Sequence, residues 1–238
     1  KLLSLGMVLK DGAKMSKSLG NTIDPGHIID TYGADTARLF ILFGAPVERD
    51  LEYSDTGVEG AFRFLKRFYA LVSSLAAYEL KDGQEKAVEK VVHKTIKAVT
   101  EDLQRFSFNT AISRLMECTN AMYSMGTTKA YVSIAVQLIA PIAPFMADEC
   151  WRLLGNDQSV HQSQWPSYDE SLVTDDTITV VCQVNGKVRD KLQVERDANQ
   201  EQVEALVNQS EKLQGYLNAG TVRKIIYVKN KLISFVVK

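Results

Sequence analysis

The chain has 238 residues, enough for one large domain or two to three small ones with a sizeable core. It is 45% hydrophobic and 24% charged with a formal net charge of −1, which excludes a basic surface throughout and leaves any nucleic-acid contact to local patches. Its three cysteines and three histidines lie far apart without metal-ligand spacing, which predicts buried thiols in a reducing compartment and no zinc site.

The first zone, residues 1–55, contains a short apolar strand over residues 7–9 that turns at residues 10–12. A loop with two lysines and two serines follows at residues 14–18. A helix is predicted from Asp24 and Pro25, because a capping carboxylate followed by proline favours a helix start. A second helix is predicted over residues 34–43.

The second zone, residues 56–157, has apolar residues at helical spacing. Its predicted helices span residues 58–72, 85–106, 109–125 and 129–154. The last is expected to kink or break at Pro141 and Pro144. The longest apolar stretch, residues 131–147, is interrupted by these prolines and by polar residues, so we expect no membrane span and a cytoplasmic protein. Four to five amphipathic helices joined by short loops predict an α-helical bundle.

The third zone, residues 175–238, follows a polar, acidic segment that we predict to be a linker, residues 158–174. Residues 177–184 alternate apolar and polar side chains, and Asn185-Gly186 is a strong hairpin signal. Two short helices and two further strands then complete a β-β-α-α-β-β module. The fold class predicted for the whole chain is mainly α with a small α+β module.

The loop at residues 14–18 is the segment most suggestive of chemistry. Walker, dinucleotide-binding and zinc-protease patterns are absent from the sequence, as is a recognisable Ser-His-Asp signature. Two lysines on one loop can contact a polyphosphate as point charges, and serine hydroxyls add hydrogen-bond donors. Turn-forming residues on both sides would let such a loop close over a ligand and open again. The alternative is a solvated loop that binds nothing.

Lys14-Met15-Ser16-Lys17-Ser18 is similar, residue for residue, to the signature loop of the class I aminoacyl-tRNA synthetases, in which Gly-Asn also follows closely. Within that family, further stretches resemble the bacterial leucyl enzymes. They are residues 32–40 (YGADTARLF), 51–60 (LEYSDTGVEG), 159–161 with 165–166 (SVH and WP), 183–189 (QVNGKVR) and 221–228 (TVRKIIYV). These matches run through all three zones in the family's order.

The resemblance implies the domains and the catalytic site. Residues 1–55 would end a Rossmann-type catalytic domain, residues 56–157 would have the anticodon-binding fold, and residues 175–238 would form a C-terminal tRNA-contacting domain. Lys17 would contact the phosphates of Mg-bound ATP during adenylate formation, while Lys14, Met15, Ser16 and Ser18 shape the loop. The family's other catalytic motifs, leucine pocket and editing domain have no counterpart here, so the resemblance implies a C-terminal portion that is inactive alone, holds no metal and belongs to a monomeric enzyme.

Leucine tRNA is the macromolecular partner that the resemblance implies, with leucine itself bound by the missing upstream part. The candidates for tRNA contact are basic residues on one helix flank and near the turns of the C-terminal module. They are Arg63, Lys66, Arg67, Lys187, Arg189, Lys191, Arg223, Lys224, Lys229 and Lys231. Contacts of this kind reach phosphate and sugar more than bases and weaken with salt. The alternative for these basic residues is a solvated surface that binds nothing. Separately, the alternative for the whole chain is a free-standing tRNA-binding module derived from a class I synthetase.

Overall fold

The computed structural model describes residues 6–174, 177–218 and 220–238. The chain is mostly helical with two small sheets, and it divides into two compact units, Lys1–Val173 and Thr174–Lys238. In the described parts of the chain, no helix is both long and apolar enough to cross a membrane.

The first unit begins with a three-stranded sheet in the order β2-β1-β3. Its strands are β1 (Val8–Lys10), β2 (Ala13–Lys14) and β3 (Leu51–Glu52). β1 and β2 are antiparallel and joined by a tight turn, in which Asp11 and Gly12 both have positive φ, whereas β1 and β3 are parallel. The sheet therefore fixes where the loop after β2 begins.

Two helices follow the loop, α1 (Pro25–Tyr32) and α2 (Ala34–Gly44). Asp24 caps α1 as its sequence predicts, because the side chain accepts a hydrogen bond from the Gly26 N–H at 2.9 Å. Leu39 and Phe40 of α2 are buried in the same hydrophobic core as the bundle helices that come next.

The bundle contains five helices, α3 (Asp55–Ser73), α4 (Glu85–Gln104), α5 (Phe108–Met125), α6 (Lys129–Ile139) and α7 (Pro144–Leu153). The segment predicted over residues 129–154 is broken rather than kinked. Pro144 occupies the first turn of α7, where a missing N–H costs nothing, and Pro141 lies in the connection. The core is made of large apolar side chains with almost no exposure, among them Phe68, Leu71, Ile96, Ile112, Met122 and Ile139.

Most of the segment that the sequence predicts to be a linker packs against the bundle instead. Val160 is buried, and the Trp165 indole N–H donates to the Thr100 hydroxyl at 2.9 Å. A short helix, α8 (Glu170–Val173), carries Glu170, whose carboxylate lies 3.2 Å from the Lys97 ammonium. The polar composition of this segment suggests a solvated linker, but Trp165 and Glu170 make specific contacts with α4. Residues 175 and 176, where the third zone was predicted to begin, lie outside the described residues.

The second unit has a four-stranded sheet covered on one face by two helices. Its elements are β4 (Thr177–Val184), β5 (Lys187–Glu195), α9 (Gln200–Gln209), α10 (Glu211–Leu217), β6 (Val222–Val228) and β7 (Leu232–Val237). The strand order is β5-β4-β7-β6, with β4 and β7 parallel and the outer pairs antiparallel. Val180, Cys182 and Val184 alternate inward along β4, as their sequence pattern predicts.

Candidate functional site

The loop at residues 14–18 is a shaped turn built on β2. Residues Lys17–Leu19 form one 3-10 turn, which Ser16 caps by accepting a hydrogen bond from the Leu19 N–H at 3.2 Å. The Ser16 and Ser18 hydroxyls are 3.1 Å apart, and Gly20 ends the turn in the left-handed conformation with a φ of 65°. The serines are therefore engaged in forming the turn, which leaves the lysines as the groups that can reach a ligand.

Asn21 closes this turn from the other side. Its side-chain oxygen accepts the Ser16 N–H at 2.9 Å, and its amide nitrogen donates to the Lys14 carbonyl at 3.3 Å. Glu52 of β3 supports the preceding turn by accepting the Gly12 N–H at 3.1 Å. Sequence reasoning treated Asn21 only as a turn former and missed Glu52, because only folding brings Glu52 next to the turn.

Lys14 and Lys17 are both exposed, and neither forms an ion pair with any residue that the structure describes. Met15, between them, is half-buried. Two uncompensated ammonium groups on a hydrogen-bonded turn can attract and hold a polyphosphate. Over the described ranges, no group of three His, Cys, Asp or Glu residues is placed to hold a metal ion.

Asp35 and Arg38 of α2 hold the connection between α6 and α7. The Asp35 carboxylate accepts hydrogen bonds from the Met146 N–H at 2.7 Å and the Phe145 N–H at 3.5 Å. Arg38 donates to the carbonyls of Pro141 and Ile142 at 3.0 and 3.2 Å. Burial raises the pKa of the Asp35 carboxyl, and the two backbone N–H groups partly offset that rise. This pair joins the loop-bearing part of the unit to the bundle.

The bundle candidates for tRNA contact, Arg63, Lys66 and Arg67, lie along one exposed flank of α3. Arg63 is 3.8 Å from the Glu59 carboxylate, with its side chain 72% exposed. Lys66 lies 5.5 Å from the centroid of the Phe62 ring, and Arg67 lies 4.6 Å from that of Tyr123. Each cation has a neighbour that orients it, and all three remain exposed to solvent.

Most of the candidates in the second unit lie near one of two ends of the sheet. Lys187 and Arg223 lie where β4 and β7 end, and Lys229 and Lys231 lie at the opposite end, in the turn between β6 and β7. A strand of this length separates the two ends by roughly 20 Å. Lys229 is also paired with the Asp197 carboxylate at 3.1 Å. Two further candidates, Lys191 and Lys224, lie within the strands, so the structure does not gather the predicted residues into one patch.

At the first of these ends, a pocket of about 390 Å³ lies beside the hairpin turn. Its lining residues are Val184, Asn185, Lys187, Arg189, Tyr216, Val237 and Lys238. The Arg189 guanidinium lies 4.3 Å from the centroid of the Tyr216 ring. Sequence reasoning found Lys187 and Arg189 but missed Tyr216, which lies in α10, and Lys238, which follows β7.

Two family models match the chain. The model described as "Anticodon-binding domain of tRNA ligase" covers residues 85–205, and the model described as "tRNA synthetases class I (I, L, M and V)" covers residues 1–54. The chain is 46% identical to a leucine–tRNA ligase of Geobacter sp. over 99% of its length, and 42% identical to that of Symbiobacterium thermophilum over all of it. It spans about a third of the length of these relatives, 31% and 33%.

Solved structures agree with these matches. A ternary complex of a LeuRS from Agrobacterium radiobacter with tRNA and LeuAMS superposes with a TM-score of 0.78 at 28% identity, over 98% of this chain and 32% of that one. A methionyl-tRNA synthetase from Mycobacterium tuberculosis shares the fold over 64% of this chain and 38% of its own, with a TM-score of 0.52 at 20% identity. The chain therefore belongs to the family described as the anticodon-binding domain of tRNA ligase, and over its whole length it is similar to a C-terminal portion of the leucine–tRNA ligases.

Proposed function

We propose that the whole protein is a leucine–tRNA ligase, which activates leucine with ATP and transfers it to leucine tRNA. This chain supplies the loop on the phosphate side of ATP and contacts to the body of the tRNA. The observation that carries the proposal is the complete Lys14–Ser18 loop, hydrogen-bonded into a turn that leaves both lysines exposed without an ion-pair partner among the described residues. Leucine is bound by parts of the protein outside this chain.

Lys17 acts on the charge that develops as pyrophosphate leaves. Interactions that are stronger in the transition state than in the ground state raise the rate, and a positioned cation beside the leaving phosphates is such an interaction. Hydrogen bonds of Ser16, Ser18 and Asn21 hold the turn that carries Lys17. The turn is therefore already ordered in the folded protein, and less conformational entropy is lost when the loop contacts ATP. Mg²⁺ arrives with ATP and needs no ligand from these residues.

The test is leucine-dependent exchange of pyrophosphate into ATP by the full-length protein. Lys17→Ala should slow the exchange by roughly 10²- to 10³-fold, as expected for one preorganised charge contact, with little change in leucine affinity. Lys86→Ala, which removes an exposed lysine from the first turn of α4, is the matched control and should leave the rate unchanged. An unaltered exchange rate in Lys17→Ala would show that the loop does not do this work.

Contacts with the tRNA body come from the flank of α3 and from the second unit. The Agrobacterium LeuRS, which superposes over nearly the whole of this chain, is in complex with tRNA, and this supports the same partner here. Apart from the half-buried Arg189, the cations concerned lie at exposed positions. They suit phosphate and sugar contacts, which set position and affinity more than sequence preference. Lys229 contributes least, because Asp197 already neutralises it.

A further inference from the structure

Arg189 lines the pocket beside the turn between β4 and β5, and it has a buried hydrogen-bond donor without a partner among the described residues. Its guanidinium is stacked on Tyr216, yet it makes no hydrogen bond or ion pair with any residue in the described parts of the chain. Its Nε–H is buried and lacks an acceptor. Buried donors are nearly always paired in folded proteins, so the acceptor for this N–H comes from outside the described residues, as a water or as a ligand in the pocket.

Hydrogen bonds and a tight turn hold part of the wall of this pocket in place. Asn185 uses both ends of its side-chain amide on β7, accepting the Val237 N–H at 2.8 Å and donating to the Val237 carbonyl at 3.0 Å. Asn185 and Gly186 both have positive φ, which the tight turn between β4 and β5 requires. Lys187 and Arg189 therefore leave the turn at fixed positions on β5, and stacking on Tyr216 fixes the guanidinium plane.

The charged side chains among the lining residues are all basic. Lys187, Arg189 and Lys238 are the three basic residues, and none of the seven lining residues is Asp or Glu. The nearest acidic neighbour in sequence is Asp190. Its carboxylate already accepts hydrogen bonds from the Lys212 ammonium at 3.2 Å and the Ser210 hydroxyl at 3.4 Å. Arginine presents several N–H donors in one plane, a geometry that matches two oxygens of a phosphate at once.

We propose that this pocket binds one phosphate group of an RNA backbone, with Arg189 stacked on Tyr216 as the main donor and Lys187 and Lys238 alongside. The inference rests on the proposed function and deepens it, because it assigns tRNA binding by the second unit to this end of the sheet. The turn that carries Lys229 and Lys231, at the far end, then plays a minor part.

The first test measures binding of a leucine tRNA transcript to the complete 238-residue chain across salt concentrations. Arg189→Ala should weaken binding about 10-fold or more and lower the slope of log affinity against log salt by about one. Arg189→Lys should weaken binding about 3-fold with the slope preserved, because the charge stays while the planar donors are lost. Tyr216→Leu should behave like Arg189→Lys. The matched control is Arg196→Ala, an exposed arginine of the same unit, which should bind like the wild type.

These outcomes separate the two levels of the proposal. If the wild-type chain binds tRNA with steep salt dependence but Arg189→Ala, Arg189→Lys and Tyr216→Leu all match Arg196→Ala, the pocket assignment is wrong and the proposed function stands. If the wild-type chain does not bind tRNA at all, the proposed tRNA contacts of this chain are wrong, and the pocket assignment that rests on them is wrong too. Thermal melting of each variant identifies loss of folding, and a folded Arg189→Lys still decides the assignment if Arg189→Ala unfolds.

The second test observes the Arg189 Nε–H directly by ¹⁵N NMR, assigned by the signal that disappears in Arg189→Lys. Inorganic phosphate and the tRNA are titrated separately. A shift with tRNA, with or without a shift with phosphate, supports a backbone phosphate in the pocket. A shift with inorganic phosphate alone would mean that the site takes a free anion, and no shift with either would mean that the pocket is not an anion site; both results overturn the proposal.

Discussion

Replacing Asp35 with alanine should destabilise the first unit by about 1–3 kcal/mol. Asp35 is only 8% exposed, and its Oδ2 accepts the Met146 N–H at 2.7 Å in the first turn of α7. Helix N–H groups at that position have no partner within the helix. Losing a cap costs about 0.5–2 kcal/mol and losing a hydrogen bond to a charged group about 1.5–3 kcal/mol, while relief of the buried charge offsets part of the loss.

Asp35→Asn should be much milder, within about 1 kcal/mol of the wild type at neutral pH, since its amide oxygen can keep the short bond to Met146 without a buried charge. The pH dependence has a definite sign. Burial raises the folded-state pKa of Asp35 above its usual 3.8, so the folded wild type takes up a proton before the unfolded chain does. The stability of the wild type relative to Asp35→Asn should therefore rise as pH falls through that raised pKa, and level off below 3.8.

Urea unfolding followed by tryptophan fluorescence isolates the effect. Both tryptophans of the chain, Trp151 and Trp165, lie in the first unit, so unfolding of the second unit does not enter the signal. Asp30→Ala removes an exposed carboxylate from α1 and should change stability by less than about 0.5 kcal/mol. The reasoning is refuted if Asp35→Ala matches Asp30→Ala, or if Asp35→Asn costs as much as Asp35→Ala.

Three further outcomes are expected. Asn21→Ala in the full-length protein should slow pyrophosphate exchange by roughly 10-fold, because the turn around Ser16 loses two hydrogen bonds while Lys17 remains; a rate equal to the wild type would contradict the assigned support. Gly126→Ala should cost more than about 2 kcal/mol in urea unfolding, because φ is 82° and a Cβ would overlap the Glu79 carbonyl; a stable variant would contradict this. Native protein at about pH 8 should leave all three thiols unreacted with a thiol reagent until urea is added, because burial raises their pKa values; rapid native labelling would argue against that burial. Those values are about 11 for Cys118, about 12 for Cys150 and about 11 for Cys182.

Local signals account for the elements that the sequence predicts well. Asn185-Gly186 lies at the hairpin because both residues tolerate positive φ, and Pro144 begins a helix because its ring fits the first turn. These preferences act within a few residues and need no tertiary information. The polar residues of 158–174 show the opposite case, since Trp165 and Glu170 find partners on α4 that lie more than sixty residues away in sequence.

The candidate site also has parts that the sequence predicts and parts that only the fold reveals. The lysines of the loop are found by motif, whereas their support by Glu52 depends on the pairing of β1 with β3. Tyr216 stacks on Arg189 only because α10 packs on the sheet, and its sequence neighbours give no sign of it. A helix pattern shows which residues are apolar, but the partner of a polar side chain is set by packing, which composition does not encode.

The most direct test of the account is binding of the wild-type chain to leucine tRNA at several salt concentrations, from about 50 to about 200 mM. The chain should bind saturably, and its affinity should fall steeply with salt, with a logarithmic slope of about −2 or steeper, since several phosphates are contacted at once. Binding that is absent, or that does not change with salt, would contradict the claim that this part of the protein holds the tRNA body.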